Sequence, residues 1–440
     1  MIKQVGAIAL LCINASGVGA QFKNIMLDEA SPGNRVTEPS VTINLKDTKN
    51  IVAASILDNI YYTLDGGLTW VKTKVTSADG VYGDPVLVSD DKGTIYSFHL
   101  SDPTGEGWTN DKSLDHIVCH ISKDGGKTWE EGSPVGHNPP KDQDKPWVTV
   151  DSKGNVFVAW TQFDKYNSSD SSCQSNILIS ASSNGKKWSK PVQLSQIPGN
   201  CLDDDNTAEG AVPAVGPDGK IFVAWSNQNK IFLDRSFDGG GIWLENDVAI
   251  GNQPGGWDFK IPGHDRCNGM PVLMVDKGKG TYRGCLYIVW ADQRNGENDT
   301  DVWFMRSNTY GDHWSSPMKI GEDKSGKHQY LPWMAVDEVT GYIYIVYYDR
   351  SAYDDNQTDV YLAYSSDSGA NFKSVKISET SFTPVDTNFF GDYTNIAAHN
   401  GIITPIWARM DDGKTSVWTA VIKQGDLIPV KEPVKNKKKR

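Results

Sequence analysis

The octapeptide TLDGGLTW occupies residues 63–70, and related octapeptides return along the chain. The clearest copies are SKDGGKTW at 122–129, SFDGGGIW at 236–243 and SSDSGANF at 365–372. Two weaker copies end at Trp188 and Trp314, which makes six occurrences of the pattern S/T-x-D-x-G-x-x-W/F. Recurrence of one short element along a chain of 440 residues predicts a repeat fold.

Each octapeptide has the composition of a tight turn between two strands. An Asp carboxylate can accept backbone N–H bonds within the turn, glycine adopts positive φ without strain, and the aromatic ring packs beneath. We therefore interpret the four Asp side chains as structural rather than catalytic, because their acceptor oxygens are needed locally. These residues are Asp65, Asp124, Asp238 and Asp367.

A second element, a short strand that mostly opens near a proline, occurs seven times. The copies begin at Glu38-Pro39, Asp84-Pro85, Lys145-Pro146, Val212-Pro213, Met270-Pro271, Leu331-Pro332 and Asp392-Tyr393. The strands that follow also match one another, as in VFVAW at 156–160 and IFVAW at 221–225. Their weak alternation is typical of strands buried on both faces.

These repeats predict an all-β chain, a β-propeller of four-stranded antiparallel blades spanning residues 21–430. Seven opening strands against six Asp turns favour seven blades, with the last blade lacking its own outer strand. Residues 22–27 precede the first repeat, and we expect them to supply that missing strand. A ring of six blades is the alternative.

The two ends of the chain and its charge restrict the function. Residues 1–20 have one cation, an apolar run and a small-residue end, which predicts a signal peptide and a secreted protein, periplasmic or extracellular. Lipidation at Cys12 is the less favoured alternative. The net charge of −12 and the lack of a later long apolar run argue against nucleic acid and a membrane span. Residues 431–440, with six cations and one acid, predict a solvated tail.

Five cysteines follow the predicted signal peptide, so at least one thiol is left without an intramolecular partner. Cys173 and Cys201 both lie in polar, loop-like sequence and are the candidate disulfide. Cys119 and Cys285 lie in apolar runs and are expected to pack as small hydrophobic residues.

Strand alternation places the residues before each opening strand and after each second strand on one face of the ring, opposite the Asp turns. The acids there include Glu38, Asp84, Asp144, Glu209 and Asp392. The same face is expected to carry His99, Arg266, Arg294, Arg350 and Arg409. An arginine cluster suits a carboxylate or sulfate, which predicts an acidic oligosaccharide or polysaccharide as the ligand. The alternative is that Asp292–Arg294 and Asp349–Arg350 are ion pairs that brace loops.

No cofactor is expected for chemistry, and no cysteine or histidine spacing suggests a zinc site. Acids in the related loops 294–301 and 350–359 could hold a structural calcium ion through oxygen ligands. Asp301 and Asp359 are, however, also placed to cap the strands that follow, which is the favoured interpretation.

The S/T-x-D-x-G-x-x-W turn is the Asp-box, and along nearly its whole mature length the chain resembles the sialidase-like (BNR repeat) superfamily of secreted propellers. Within it, the sequence is most similar to bacterial secreted proteins described as exo-α-sialidases or glycosyl hydrolases. The family carries a Phe-Arg-Ile-Pro motif on the first inner strand. This chain has VTEP at 36–39 there, without the motif's arginine, although Arg35 lies close by.

The resemblance implies catalytic roles for three residues. Tyr393 is similar to the family's nucleophilic tyrosine, and Glu209 to the glutamate that deprotonates it. Asp84 is the candidate for the acid that protonates the leaving group. Arg266, Arg294 and Arg350 or Arg409 would then hold the substrate anion.

Three functions are compatible with these residues. The first is a glycosidase acting on an anionic glycan. The second is a polysaccharide lyase like the ulvan lyase propellers, with His99 and Tyr330 or Tyr393 among its candidate groups. The third is a glycan-binding propeller without catalysis, in which exposed rings such as Trp108 or Trp257 stack on sugars.

Overall fold

The computed structural model describes residues 22–107, 110–321 and 326–427, which form a ring of seven antiparallel sheets. The predicted signal peptide at 1–20, the tail at 431–440 and Trp108 lie outside the described residues. Within those ranges, no helix is long and apolar enough to cross a membrane. The propeller and its seven blades are confirmed, and the six-bladed alternative is wrong.

The chain begins with β1 (Ile25–Glu29), which belongs to the last blade. Blade 1 comprises β2 (Ser40–Ile43), β3 (Ile51–Ser55), β4 (Asn59–Thr63) and β5 (Val71–Lys74). Blade 2 comprises β6 (Gly83–Ser89), β7 (Ile95–Leu100), β8 (Ile117–Ser122) and β9 (Ser133–Val135). Blade 3 comprises β10 (Asp142–Val150), β11 (Val156–Phe163), β12 (Ser175–Ser182) and β13 (Val192–Gln193). Blade 4 comprises β14 (Glu209–Val215), β15 (Ile221–Asn227), β16 (Lys230–Ser236) and β17 (Val248–Asn252).

A two-stranded ribbon, β18 (Asp258–Phe259) and β19 (Cys267–Asn268), lies between blades 4 and 5 along the chain. Blade 5 comprises β20 (Val272–Val275), β21 (Leu286–Asp292), β22 (Asp301–Ser307) and β23 (Met318–Lys319). Blade 6 comprises β24 (Gln329–Val336), β25 (Ile343–Asp349), β26 (Asp359–Ser365) and β27 (Lys373–Lys376). Blade 7 comprises β28 (Asn395–His399), β29 (Ile402–Asp411) and β30 (Lys414–Thr419), completed by β1. A short strand β31 (Ile422–Lys423) pairs with β29, and a single helical turn α1 (Gln424–Leu427) follows.

The ring closes because the first strand of every blade contacts the first strand of the next, and β28 contacts β2. The outer strand of blade 7 is β1, which pairs antiparallel with β30 from Ile25 opposite Thr419 onward. The N-terminal segment therefore supplies the missing strand, two to three residues further along than the sequence indicated.

The second strands carry the core between blades. Large aromatic side chains at matching positions are at most 1% exposed, and they are Trp160, Trp225, Trp290 and Trp407. Stacked sheets cover both faces of these strands, which explains the near-continuous apolar sequence of β11 and β15.

The Asp turns lie where the third strand of a blade meets the fourth. Asp124 accepts bonds from the Ser122 hydroxyl, the Thr128 amide and the Thr128 hydroxyl at 2.9, 2.9 and 2.6 Å. Asp65, Asp238 and Asp367 accept equivalent bonds inside their own turns. Gly126 has φ +89, and a Cβ there would lie 2.8 Å from Val52 of the neighbouring blade, so this position requires glycine.

The turn ending at Trp188 differs from the sequence interpretation, which put Ser183 in the position of the Asp. Asn184 takes that place, since its side-chain oxygen accepts bonds from Ser182 and from the Lys186 amide. The turn is one residue shorter than its relatives, and an amide oxygen replaces the carboxylate.

Cys173 and Cys201 form a disulfide with a Cα–Cα distance of 5.8 Å. It joins the loop after β11 to the loop before β14 and packs with Phe163 and Tyr166. Among the free thiols, Cys119 and Cys267 are buried and Cys285 is half-buried.

Candidate active site

A cavity of about 860 Å³ opens on the face of the ring opposite the Asp turns. Asp84, Asp144 and Lys145 from the first strands of blades 2 and 3 line it. Other charged and phenolic lining residues include Glu38, Tyr166 and Arg266. The acidic face predicted from strand alternation is therefore a real concavity of a size that suits a small-molecule site.

Bulges in the first strands aim these side chains at the cavity. The pairing of β6 with β7 shifts between Gly83 and Val86, and that of β10 with β11 shifts between Asp144 and Trp147. The bulged residues Asp84 and Lys145 have φ of +49° and +46°. Glu38, at the equivalent place in blade 1, has φ +50°. Non-glycine residues in this left-handed region are strained, and such strain is concentrated at functional sites.

Two cations hold the cluster together, Lys145, which is buried, and Arg266, which is partly exposed. Lys145 Nζ lies 3.0 Å from Asp392 Oδ2, 3.7 Å from Glu209 Oε1 and 3.9 Å from Asp144 Oδ2. The Arg266 guanidinium donates hydrogen bonds to both carboxylate oxygens of Asp392, and its Nη1 donates to Asp203 at 2.8 Å. Asp392 is thus shared by both cations.

Five carboxyl groups around these two cations have shifted pKa values, and the shifts separate them into two sets. Burial alone would raise the pKa of Asp392, but Arg266 and Lys145 outweigh burial and hold it well below its ordinary value. Asp203 behaves in the same way, because Lys145 and Arg266 overcome its burial and lower its pKa. These two carboxylates balance the two cations.

The other set is pushed toward the neutral form. Burial raises the pKa of Asp144 to about 8, with the nearby Asp84 adding to the increase and Lys145 opposing it. Burial and the charges of Asp84 and Asp392 raise the pKa of Glu38 well above its ordinary value. Burial and Asp203 do the same to Glu209. The site therefore combines protonated and ionised carboxyl groups.

Asp84 accepts hydrogen bonds from two sides. The Tyr393 hydroxyl donates to its Oδ1 at 3.4 Å, and the Asp144 carboxyl is a hydrogen-bonding neighbour. Tyr393 is 4% exposed and packs edge-on against Trp147, with ring centroids 5.0 Å apart. Burial, reinforced by Asp84 and Glu38, raises the pKa of the Tyr393 hydroxyl well above its ordinary value.

Of the catalytic residues expected from sequence, Asp84 and Tyr393 meet, but Glu209 is not their partner. Glu209 is fully buried beside Lys145, and no hydrogen bond in the described residues joins it to Tyr393. The neighbour of the tyrosine hydroxyl is Asp84, because the bulge in β6 turns that carboxyl toward blade 7.

Four arginines were expected to bind an anion. Arg266 lines the cavity, but the other three do not. Arg294 pairs with Asp292 and stacks on Trp303, with 4.3 Å to the ring centroid. Arg350 is 2% exposed and donates to Pro262 O at 2.7 Å and Thr358 at 3.0 Å. Arg409 binds Asp411 through both carboxylate oxygens. Local acceptors satisfy each of them, as the loop-bracing alternative expected for Arg294.

His99 and Trp257 are also enclosed. His99 is 1% exposed, its Nε2 lies 3.0 Å from His120 Nε2, and burial lowers its pKa to about 3. Trp257 is 2% exposed and donates its indole N–H to Asp203 at 2.7 Å. The expectation of an exposed Trp257 ring for sugar stacking is therefore wrong, because that ring supports the acid cluster from within.

The loop acids considered for calcium have cationic partners. Asp301 lies 2.5 Å from Lys319, and Asp359 lies 2.9 Å from Lys376. In the part of the chain that the structure describes, no group of three His, Cys, Asp or Glu side chains is arranged to hold a metal ion. Structural calcium stays a prediction.

Lys145, Asp203 and Tyr166 were missed as site residues. Tyr166 donates to Asp203 at 2.9 Å, and the disulfide of Cys201 fixes the loop that carries Asp203. The usable signal was the Lys145-Pro146 pair, which repeats the Glu38-Pro39 and Asp84-Pro85 pattern with the charge reversed.

No protein-family model matches the sequence, and no curated protein matches it. Solved structures do share its fold. A protein of unknown function from Dyadobacter fermentans has 13% identity and a TM-score of 0.51, covering 89% of this chain and 100% of its own. An ulvan lyase, described as a new polysaccharide lyase family and bound to -[GlcA(1-4)Rha3S]-, has 11% identity and a TM-score of 0.53, covering 91% and 96%.

An α-L-arabinofuranosidase of Fusarium graminearum in complex with an iminosugar inhibitor has 14% identity and a TM-score of 0.51, covering 92% and 98%. Such low identities establish the fold alone. The chain is a seven-bladed β-propeller with a buried acidic cluster at one end of its ring.

Proposed function

We propose that this protein is a glycoside hydrolase whose active site is the cavity containing Asp84 and Asp144. The observation that carries the proposal is the contrast between these neighbours: Asp144 stays protonated up to a pH of about 8, while Asp84 accepts hydrogen bonds. Glycosidases use one carboxylic acid and one carboxylate in this way. Propellers of similar fold that act on glycans add support.

In the proposed reaction, Asp144 donates its proton to the oxygen of the leaving sugar as the glycosidic bond breaks. The Asp84 carboxylate attacks the anomeric carbon and forms a glycosyl ester. Asp144, now ionised, takes a proton from water, which hydrolyses the ester and releases Asp84. The two carboxyl groups are hydrogen-bonding neighbours, and this closeness favours a retaining mechanism because inverting enzymes hold their carboxyls further apart to admit a water molecule.

In this mechanism Tyr393 is a positioning residue. A nucleophilic phenolate would form beside Asp84 and Glu38, and those carboxyls together with burial oppose its formation. Tyr393 is also absent from the residues lining the cavity. Its hydroxyl instead orients the Asp84 carboxylate through the 3.4 Å hydrogen bond.

We further propose a neutral sugar as the substrate unit at the acid cluster. Lys145 and Arg266 are already balanced by Asp392 and Asp203, so an entering sugar carboxylate would meet acids. One observation favours the acidic-glycan alternative: Arg35 is exposed in the cavity lining, with no ion pair found for its guanidinium among the described residues.

The test is incubation of the protein with neutral and acidic glycans, with products identified by mass spectrometry and ultraviolet absorbance. We expect neutral glycans to yield products heavier by one water molecule per cleavage, with retained anomeric configuration by NMR. Hydrolysis of acidic glycans alone would show that the substrate unit is acidic, with Arg35 as the residue that binds its charge. Absorbance from a new carbon–carbon double bond would identify a lyase instead, and binding without product would overturn catalysis.

A further inference from the structure

A second cavity of about 620 Å³ adjoins the first. Four residues line both cavities, namely Thr387, Asn388, Asp412 and Gly413. They form a ridge between the two spaces, where the Asn388 side chain donates to Gly413 O at 2.6 Å. A ligand that crosses this ridge occupies both cavities at once.

The lining of the second cavity is chemically different from that of the first. Uncharged hydrogen-bonding side chains dominate it, including Gln357, Ser381 and Thr383. Its charged lining residues are Asp411 and Asp412, both acidic. Hydroxyl, amide and carboxylate groups suit the hydroxyls of a neutral sugar, whereas an anionic ligand would be repelled.

Arg409 gives this cavity a fixed wall. Its Nη1 donates to the Thr380 carbonyl and hydroxyl at 3.0 and 2.8 Å, and its Nη2 donates to Ser381 O at 3.0 Å. The same guanidinium binds Asp411, which also lines the cavity. One side chain therefore joins two of the three segments that line the space, so little ordering of these segments is needed when a ligand binds.

We propose that the second cavity is a further glycan-binding subsite, which holds neutral sugar units continuing from the unit at the acid cluster. The substrate is then an oligosaccharide or polysaccharide rather than a single glycoside. This inference rests on the proposed function, because the acid cluster defines the point of cleavage. Each cavity alone, at about 860 and 620 Å³, has the volume of a ligand site, so the two together have room for a chain of sugar units.

The experiment uses the full chain with Asp144→Asn, so that binding is measured without turnover. Calorimetry compares neutral oligosaccharides of two and six units from arabinan, galactan, xylan and glucan. Val385→Trp fills the second cavity, since Val385 is 37% exposed and lines that cavity but not the first. Val339→Trp, at another exposed valine in a turn of blade 6, is the matched control.

In the series that binds, we expect the six-unit chain to bind about tenfold more tightly than the two-unit chain. Val385→Trp should abolish this difference and leave two-unit binding intact, and Val339→Trp should change neither affinity. Equal affinities, an unaffected Val385→Trp variant or no binding in any series would overturn the subsite. Hydrolysis by the wild type without length dependence would leave the proposed function standing. Length-dependent binding without hydrolysis would retain the subsite and remove the function.

Discussion

The same residue type does opposite things at the two ends of this ring. At the Asp-turn face, Asp65 is surrounded by donors from its own turn, and these hydrogen bonds lower its pKa to about 2. At the cavity, burial raises the pKa of Asp144 to about 8. A carboxyl that satisfies its oxygens locally stabilises the fold, whereas one that is buried among other acids retains a proton that it can donate.

The two ends also differ in how faithfully the repeat is copied. Four of the Asp turns, those with Asp65, Asp124, Asp238 and Asp367, are closely similar, but the bulged positions of the first strands are not. In blades 1 to 4 and 6 they hold Glu38, Asp84, Lys145, Gly210 and Leu331, all with positive φ. Repetition therefore builds the ring, and departures from repetition supply the chemistry.

Asp144→Asn is expected to have the largest effect, and that effect is on activity. Loss of the transferable proton should reduce hydrolysis about 10³-fold, as for other general acids, while leaving the circular dichroism spectrum unchanged. The control is Asp124→Asn in an Asp turn, for which we expect full activity. Product release is measured with the glycan identified by the panel; equal activity of both variants would contradict the assignment of Asp144.

Lys145→Met tests whether the stability of the protein depends more on the buried charges at the cavity than on ion pairs at the surface. Removing a buried cation leaves carboxylates unpaired, and we expect the free energy of unfolding in urea to fall by about 3–5 kcal/mol. Lys72→Met, which breaks the exposed pair with Asp28, should cost at most about 1 kcal/mol. Similar losses for both variants would show that Lys145 does not balance the cluster.

Tyr393→Phe separates positioning from nucleophilic attack. Loss of one hydrogen bond to a carboxylate should lower kcat/KM about 10- to 100-fold, with the anomeric outcome retained. The matched control is Tyr348→Phe, which removes another buried hydroxyl, bonded to Ala408 O at 2.8 Å, from a residue that does not line the first cavity. Complete loss of activity in Tyr393→Phe alone would restore Tyr393 as the nucleophile.

The pH profile sharpens the contrast between the two sets of acids. Asp144 acts in its protonated form, which predominates below its pKa, so kcat/KM should fall about tenfold per pH unit above a pH of about 8. Asp203→Asn should move this limb to lower pH, because Asp203 is one of the charges that raise the pKa of Asp144. A limb that stays in place would show that the two carboxyls are not coupled.

Asp124→Ala gives the smallest expected effect, confined to stability. Removing the acceptor of three turn hydrogen bonds should lower the free energy of unfolding by about 1 kcal/mol, comparable to loss of a helix cap. Activity should be unchanged at a temperature well below the unfolding transition. A large loss of activity in the folded variant would mean that the turn face also contributes to function.

The fold was predictable from sequence because its signals are local. An Asp turn needs only eight consecutive residues, and the opening strands are marked by their prolines. The disulfide partners were recognisable for a similar reason, since both lie in polar loops. Counting strands against turns also indicated that the N-terminal segment completes the last blade.

The site was only partly predictable because it depends on backbone conformation and on distant partners. Strand alternation gave the correct face for Asp84 and Arg266, but not the bulge that turns Asp84 toward Tyr393. It placed Arg409 on a common rim without revealing its acceptor Asp411, two residues away. Asp203 has no sequence signal of its own, because it is brought to the cluster by the disulfide of Cys201, two residues before it.

Closure by β1 has a consequence for biosynthesis. A chain made from its N-terminus exposes Ile25 to Glu29 early, but the partner strand ends at Thr419, 394 residues after Ile25. Until the seventh blade has been synthesised, this segment is an unpaired edge that invites pairing with other chains. Its sequence, IMLDE, carries two acids in five residues, and this charge disfavours such association until the partner strand has been made.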